Sequence, residues 1–247
     1  MIRWLWAFAD CPIDQFDRNA EFWCAATEST LSPRRGPHGE FATFLPETGD
    51  PRLKIQGVHE GTGGAHIDFD VDDVDAVTHA AVEVHGASIV MREGVDLSVM
   101  RSPGGQLFCI TRWAGESRRP PVVVYEDGLT SRVDQVCIDI NPELFERECA
   151  FWSGFTGWPL RQSTDQPEFT RLLVAQDMPL HILLQRRDSS GPPGAHIDVA
   201  CPDVEGIRAK HESLGARKVA DGKSWTVMRD PAGGVYCLTG RDAHTGR

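Results

Sequence analysis

Two histidines and two aspartates of this chain sit in a repeated pentapeptide. Gly-Ala-His-Ile-Asp occurs as residues 64–68 and again as 194–198, which sets His66 two positions from Asp68 and His196 two positions from Asp198. Residues two apart on a β-strand point to the same face, about 7 Å apart at their roots. Each imidazole therefore shares a face with a carboxylate, which favours its protonated form and could orient it for acid–base work. A structural hydrogen bond, or two separate contacts to a ligand, fits the same spacing. The seven cysteines offer a second chemistry, since a thiolate beside a base or cation is a nucleophile. Arg101 and Arg229 each precede a Gly-rich turn, where they could reach an anion or lie solvated at a strand end.

The elements that carry these residues are repeated too. Val99 to Thr111, VMRSPGGQLFCIT, returns 128 residues later as Val227 to Thr239, VMRDPAGGVYCLT, and Phe22-Trp23 returns 129 residues later as Phe151-Trp152. Three matches in one order, with the offset drifting by two residues, identify two copies of one domain. We place the first at 1–115, a linker at 116–131 and the second at 132–241. Within each copy GAHID opens a further unit, so the chain reads as four β-α-β-β-β modules. In the first module the pattern predicts a strand over 4–10, a helix over 15–27 and strands near 41–46 and 52–57. In the second, Ile67, Phe69 and Val71 alternate with His66, Asp68 and Asp70 as a half-buried strand. Val74, Val77, Ala81 and Val84 then fall at helical spacing, with Asp72 or Asp73 placed to cap the start and Gly86 the end. Val204, Ile207, His211 and Leu214 repeat this before Gly215. Strands follow near 88–92, 97–101 and 107–113, with counterparts near 216–220, 225–229 and 235–240. Trp4, Trp6 and Phe8 alternate on the first strand and share one face, whereas Phe22, Trp23, Phe151 and Trp152 read as helix core. In the linker, Val122 to Tyr125 could form an edge strand.

Composition narrows the function classes. With 247 residues, 40% of them hydrophobic, the chain can bury a substantial core. A net charge of −11 argues against nucleic acid as a partner. The acidity is uneven: residues 1–115 carry 9 Lys/Arg against 17 Asp/Glu, and residues 132–247 carry 14 against 16. Much of the first excess lies in Asp68, Asp70, Asp72, Asp73 and Asp75, a strand end and helix start that could also favour a cation. The opening MIRWLWAFADC is too short an apolar run for a membrane span or signal segment and reads as a buried first strand. An odd number of cysteines without CxxC pairing points to reduced thiols and a cytoplasmic protein.

The GAHID strand openings, the Asp-Asp-Val helix start and the DPAGGVYCL turn and strand resemble the vicinal oxygen chelate superfamily. Glyoxalase I, bleomycin-resistance proteins, fosfomycin-resistance enzymes and extradiol dioxygenases belong to it, and the likeness is to its glyoxalase-like domains. The resemblance covers roughly 1–113 and 132–240. It implies an α+β fold in which four βαβββ units form two tandem domains whose curved, cup-forming mixed sheets hold a small molecule. In metal-binding members the ligands lie on the first and last strands of the units. Those positions fall here on Trp6, His66, Gln135 and His196, on Cys109 and Cys237, and on Lys54 with Leu183 or His181.

Tryptophan and an ammonium are incompatible with a cation, so the resemblance implies no metal site in the first half. In the second half Gln135, His196 and Cys237 could hold zinc through oxygen, nitrogen and thiolate, although the closing carboxylate is replaced by cysteine. The expectation is therefore a protein without a required cofactor, a divalent metal in the second domain being the lesser alternative. It binds a small aromatic or amphipathic molecule through Trp4, Trp6, His66, Asp68, Cys109, Gln135, His196, Asp198 and Cys237. The competing readings are a superfamily enzyme, either a metal-dependent lyase, isomerase or dioxygenase or a metal-free His/Asp catalyst, and a scaffold with one purely structural half. The expected partner is that small molecule, with no nucleic acid and no membrane. A tandem chain could be a monomer that is an internal pseudo-dimer, or a homodimer.

Overall fold

The computed structural model describes residues 1–246 and contains four βαβββ modules in succession. The first runs β1 (Ile2–Pro12), a 3-10 turn, α1 (Phe16–Thr27), a short β2 (Thr30–Leu31), β3 (Phe41–Leu45) and β4 (Leu53–Val58). The second has β5 (Gly64–Val71), α2 (Val74–Glu83), β6 (Ser88–Glu93), β7 (Leu97–Arg101) and β8 (Leu107–Arg112). After β9 (Val123–Val124) the third has β10 (Thr130–Ile140), α3 (Phe145–Thr156), β11 (Leu160–Gln162), β12 (Phe169–Leu172) and β13 (His181–Arg186). The fourth closes the chain with β14 (Gly194–Ala200), α4 (Val204–Ser213), β15 (Arg217–Asp221), β16 (Trp225–Arg229) and β17 (Val235–Thr239). β9 is the anticipated edge strand and pairs antiparallel with the start of β10.

Two mixed sheets result, ordered β2-β3-β4-β1-β5-β8-β7-β6 and β11-β12-β13-β10-β14-β17-β16-β15. The first strand of a module pairs parallel with its last, as in β1 with β4, β5 with β8 and β14 with β17, while the later strands pair antiparallel as hairpins. The helix supplies the crossover that a parallel pair requires. Packing groups the chain differently. One compact unit combines residues 1–6, 66–117 and 136–195, and the other combines 7–65, 118–135 and 196–247. Within the first unit, Phe69 of β5 stacks on Trp152 of α3 at 6.0 Å, and Phe108 of β8 meets Trp152 and Phe155 at 5.2 Å. Within the second, Phe22 and Trp23 of α1 meet Tyr236 of β17, with Phe22 also against His211 of α4. Four helix aromatics anticipated as core, Phe22, Trp23, Phe151 and Trp152, are all buried.

Asp73 rather than Asp72 caps α2, accepting the Ala76 N–H at 2.9 Å, and Asp203 caps α4 through Gly206. Gly86 and Gly215 end these helices at φ 76° and 98°, where the following residues donate back to Ala81 and His211. Val84 and Leu214, counted with the core by spacing, are 72% and 38% exposed because each lies just beyond the last helical residue.

The turn before each closing strand is anchored by a buried carboxylate. Asp230 accepts Gly234 N–H at 2.8 Å, Ala232 N–H at 3.0 Å and the Trp23 indole N–H at 3.4 Å. In the other copy the turn carries Ser102, and the carboxylate comes from Glu148 on α3, which accepts Ser102 Oγ–H at 2.8 Å, Gly104 N–H at 2.6 Å and the Trp152 indole N–H at 3.0 Å. Arg101 and Arg229 donate to the Gly105 and Gly233 carbonyls and so close these turns.

Candidate functional site

Alternation on β5 sends Ile67, Phe69 and Val71 to the helix-packed face and leaves His66, Asp68 and Asp70 on the other. Pairing with β8 sets Cys109 opposite Asp68 and Thr111 opposite Asp70. His66 Nε2 lies 3.5 Å from Asp68 Oδ1, and the donor atoms of His66, Asp68 and Cys109 all fall within 4.8 Å of one another. Asp70 is engaged separately: it accepts the Trp6 indole N–H at 2.8 Å and the Thr111 hydroxyl at 2.5 Å. Trp6 is thus fixed by a buried hydrogen bond and is 4% exposed, while Trp4 is 1% exposed. On the neighbouring pair β1–β4, Lys54 stands opposite Phe8 with its ammonium 5.3 Å from the ring centroid.

The second copy repeats this face with different chemistry. Cys237 on β17 stands opposite Asp198 on β14. His196 Nε2 lies 3.5 Å from Asp198 Oδ1, and His196, Asp198 and Cys237 again bring their donor atoms within 4.8 Å. Gln135 takes the place of Trp6, and its Nε2 donates to Asp198 Oδ2 at 2.5 Å. Gln135 Oε1 is buried without a hydrogen-bond partner. Burial pushes the Asp198 carboxyl above the usual carboxylate range, opposed by His196, Arg241 and the Gln135 hydrogen bond. His181 and Leu183, the two positions matched to the remaining ligand strand, share one face of β13, and leucine offers no donor atom.

The side chains of His66 and His196 are 12% and 13% exposed, whereas those of Asp68 and Asp198 are 5% and 4%. Each cluster therefore presents its imidazole outward on a buried carboxylate. None of the seven cysteines is in a disulfide. Burial pushes Cys11, Cys149 and Cys201 up to about 12, which makes them inert packing groups. The sequence reading placed His66, Asp68, Cys109, Gln135, His196, Asp198 and Cys237 in two clusters and missed Asp70 and Thr111. The signal for Asp70 was present, since it lies two positions beyond Asp68 on the same face, but local spacing does not show that it serves the Trp6 indole, 64 positions away.

A family model for a glyoxalase-like domain matches the sequence twice, over 6–111 and 135–239. No curated protein matches it. Among solved structures, 2,2',3-trihydroxybiphenyl 1,2-dioxygenase of Sphingomonas wittichii RW1 aligns at 14% identity and TM-score 0.65, over 97% of this chain and 90% of that one. The Mn(II)-bound glyoxalase of Novosphingobium aromaticivorans aligns at 16% identity and TM-score 0.64, over 99% and 83%. The 2,3-dioxygenase LapB of Pseudomonas sp. KL28 aligns at 11% and 0.63, over 96% and 92%. At these identities the likeness is one of fold. The double match to the family model, on four βαβββ modules in two mixed sheets, places this chain in the glyoxalase-like domain family of the vicinal oxygen chelate superfamily, as two tandem domains.

Proposed function

We propose that this protein binds a small aromatic or amphipathic organic molecule against the faces that carry the two His–Asp–Cys clusters, and that the first domain does so without the superfamily's metal. The observation that carries this reading is the Trp6–Asp70 hydrogen bond. At a strand position where metal-binding members have a ligand, this chain has an indole whose only polar hydrogen is committed to a buried carboxylate. Lys54, at another such position, brings a positive charge. Trp6 and Lys54 thus leave two family positions without a ligand for a divalent cation, although His66, Asp68 and Cys109 bring three donor atoms within 4.8 Å of one another. What remains is an imidazole and a thiol set over buried aromatic side chains, able to hold the polar group of a small molecule.

A specific observation supports a second reading, a superfamily enzyme that uses the second domain. Gln135 Oε1 is buried without a partner beside a carboxylate, an imidazole and a thiol. Gln135, His196, Asp198 and Cys237 would hold a zinc-class ion, which when bound supplies Lewis acidity toward a substrate oxygen. In a metal-free enzyme Asp198 would orient the His196 imidazole for proton transfer. Elemental analysis of the purified chain separates the readings: about one tightly held transition metal per chain would overturn the binder reading. Without metal, catechol and other hydroxylated aromatic compounds should raise the unfolding midpoint, because ligand bound to the native state stabilises it by mass action. His196→Ala and His66→Ala should reduce that rise. Turnover of a bound compound by metal-free protein would instead establish the His/Asp catalyst.

A further inference from the structure

A dense group of buried charges lies among residues outside the His–Asp–Cys clusters, linked to them through the Arg241 and Asp134 charges that act on Asp198. Arg52, leading into β4, is 7% exposed, and Arg132, near the start of β10, is 5% exposed. Arg119 of the connecting segment acts electrostatically on both, and Arg241, just past β17, acts on Arg132. All four belong to one compact unit. The local chain path holds them together, because Asp50 N–H donates to Arg118 C=O and Arg118 N–H to the Asp50 carboxylate, each at 2.7 Å. The connecting segment is thereby clamped next to the residues that precede β4.

The anionic side of this group is small. Asp134, fully buried, is engaged by Arg241 in a two-pronged pair at 2.8 Å on each oxygen. Arg241 completes its donors on Thr239 Oγ1 at 3.0 Å and Gly246 C=O at 3.2 Å. It shows how a structural arginine is satisfied in a protein interior. Asp242 also counters Arg132, but it is exposed and accepts from His244 N–H and Thr245 N–H. Arg52 and Arg132 are treated differently. Arg52 Nε donates to Val133 C=O at 2.7 Å, yet its Nη1 finds no acceptor, and neither do Nε and Nη2 of Arg132. Burial first, then the neighbouring guanidinium charges, lower Arg52 to about 9 and Arg132 to about 10. An unpaired buried charge is among the costliest features a fold can carry. Here two lie side by side, with donors to spare, in a chain whose net charge is −11.

We infer that Arg52 and Arg132, with the Arg119 charge acting on both, form a binding site for a multiply charged oxyanion of the phosphate or sulfate class. A tetrahedral dianion answers both demands, accepting from several planar guanidinium forks at once and offsetting more than one positive charge. Chloride has no such geometry, and a monocarboxylate offsets only one charge. Arg241 and Asp134 are already paired with each other and so do not compete for the ligand.

The test uses the intact chain with inorganic phosphate, sulfate, acetate and chloride at matched ionic strength. Phosphate and sulfate should raise Tm saturably by a few degrees, and phosphate titration calorimetry should give about one site per chain, with acetate and chloride ineffective. Arg132→Gln removes one unpaired charge, so it should fold without anion and bind phosphate at least tenfold more weakly. Should that variant not fold, Arg119→Gln, at a half-buried position, should show the same weakening. An equal rise with chloride would mean general screening only, and that result, or phosphate binding undiminished in the folded variant, overturns the site.

Discussion

His211 shows what burial does to a titratable side chain. It is fully buried, its Nδ1 is 2.9 Å from the Tyr236 hydroxyl, and Phe22 meets its ring edge-on. Desolvation lowers its pKa to about 4. The unfolded chain, near the ordinary 6.5, therefore binds more protons than the native state between these values, and stability falls as pH drops from 6.5 toward 4. Between pH 7 and 5 this group should cost about 2 kcal/mol. Urea unfolding of wild type and His211→Gln across that range measures it: the variant, less stable at pH 7, should lack this part of the acid sensitivity. The buried carboxylates with raised pKa shift stability the opposite way, so the difference between the two proteins isolates His211. Asp70→Ala should leave the Trp6 indole and Thr111 hydroxyl without their buried acceptor and cost about 2 kcal/mol in the same assay. At this scale the sequence disclosed which residues share a face, because strand alternation is local. The His66–Asp68 pair was legible from its two-residue spacing, whereas the Trp6–Asp70 bond was not, because it joins two strands 64 positions apart and only packing brings them together.

The duplicated modules allow elements to be compared within one chain. α1 ends on Glu28 at φ 47°, the one non-glycine residue with positive φ among those described, while α3 ends at the equivalent position on Gly157 at φ 72°. Glu28→Gly should relieve the left-handed strain and stabilise the protein by about 1 kcal/mol, read as a higher urea midpoint. The closing turns show a complementary exchange. Both need an anion for their exposed N–H groups and for a tryptophan, supplied by Asp230 from within one turn and by Glu148 from a packed helix for the other. Glu148→Gln replaces an acceptor by a donor facing Ser102, Gly104 and Trp152, and should cost about 2 kcal/mol, whereas Glu143→Gln on the exposed turn before α3 should be near neutral in the same unfolding measurement. Helix and strand placement, caps and turns followed from periodicity and Gly/Asp chemistry. The carboxylate exchange did not, because Glu148 reads in sequence as one more helix charge and Ser102 as a loss. The tertiary contact that joins them has no local signal.

For the whole molecule, the repeat disclosed four modules and the resemblance implied two cup-forming sheets, but neither showed which modules pack together, because the apolar faces of all four modules look alike in sequence. The second module shares a compact unit with the third, and the first with the fourth. A fragment of residues 1–117 should therefore fail to form a stable monomer, with Phe69 and Phe108 deprived of Trp152 and Phe155, and should recover when coexpressed with residues 118–247. Size-exclusion chromatography and far-UV circular dichroism decide this, and a cooperatively melting monomer from 1–117 alone would refute it. The candidate site was legible as residue types on six strands, and the arginine cluster was not, because its members are scattered over nearly 190 positions. The same interleaving constrains synthesis on the ribosome. The unit that uses residues 136–195 can close only after those residues emerge, and the other must wait for the segment from 196 onward, although its first strands are made at the outset. The earliest-made module is thus the last to be completed, holding the aromatic face of α1 exposed for most of translation, the interval in which a chaperone would meet it.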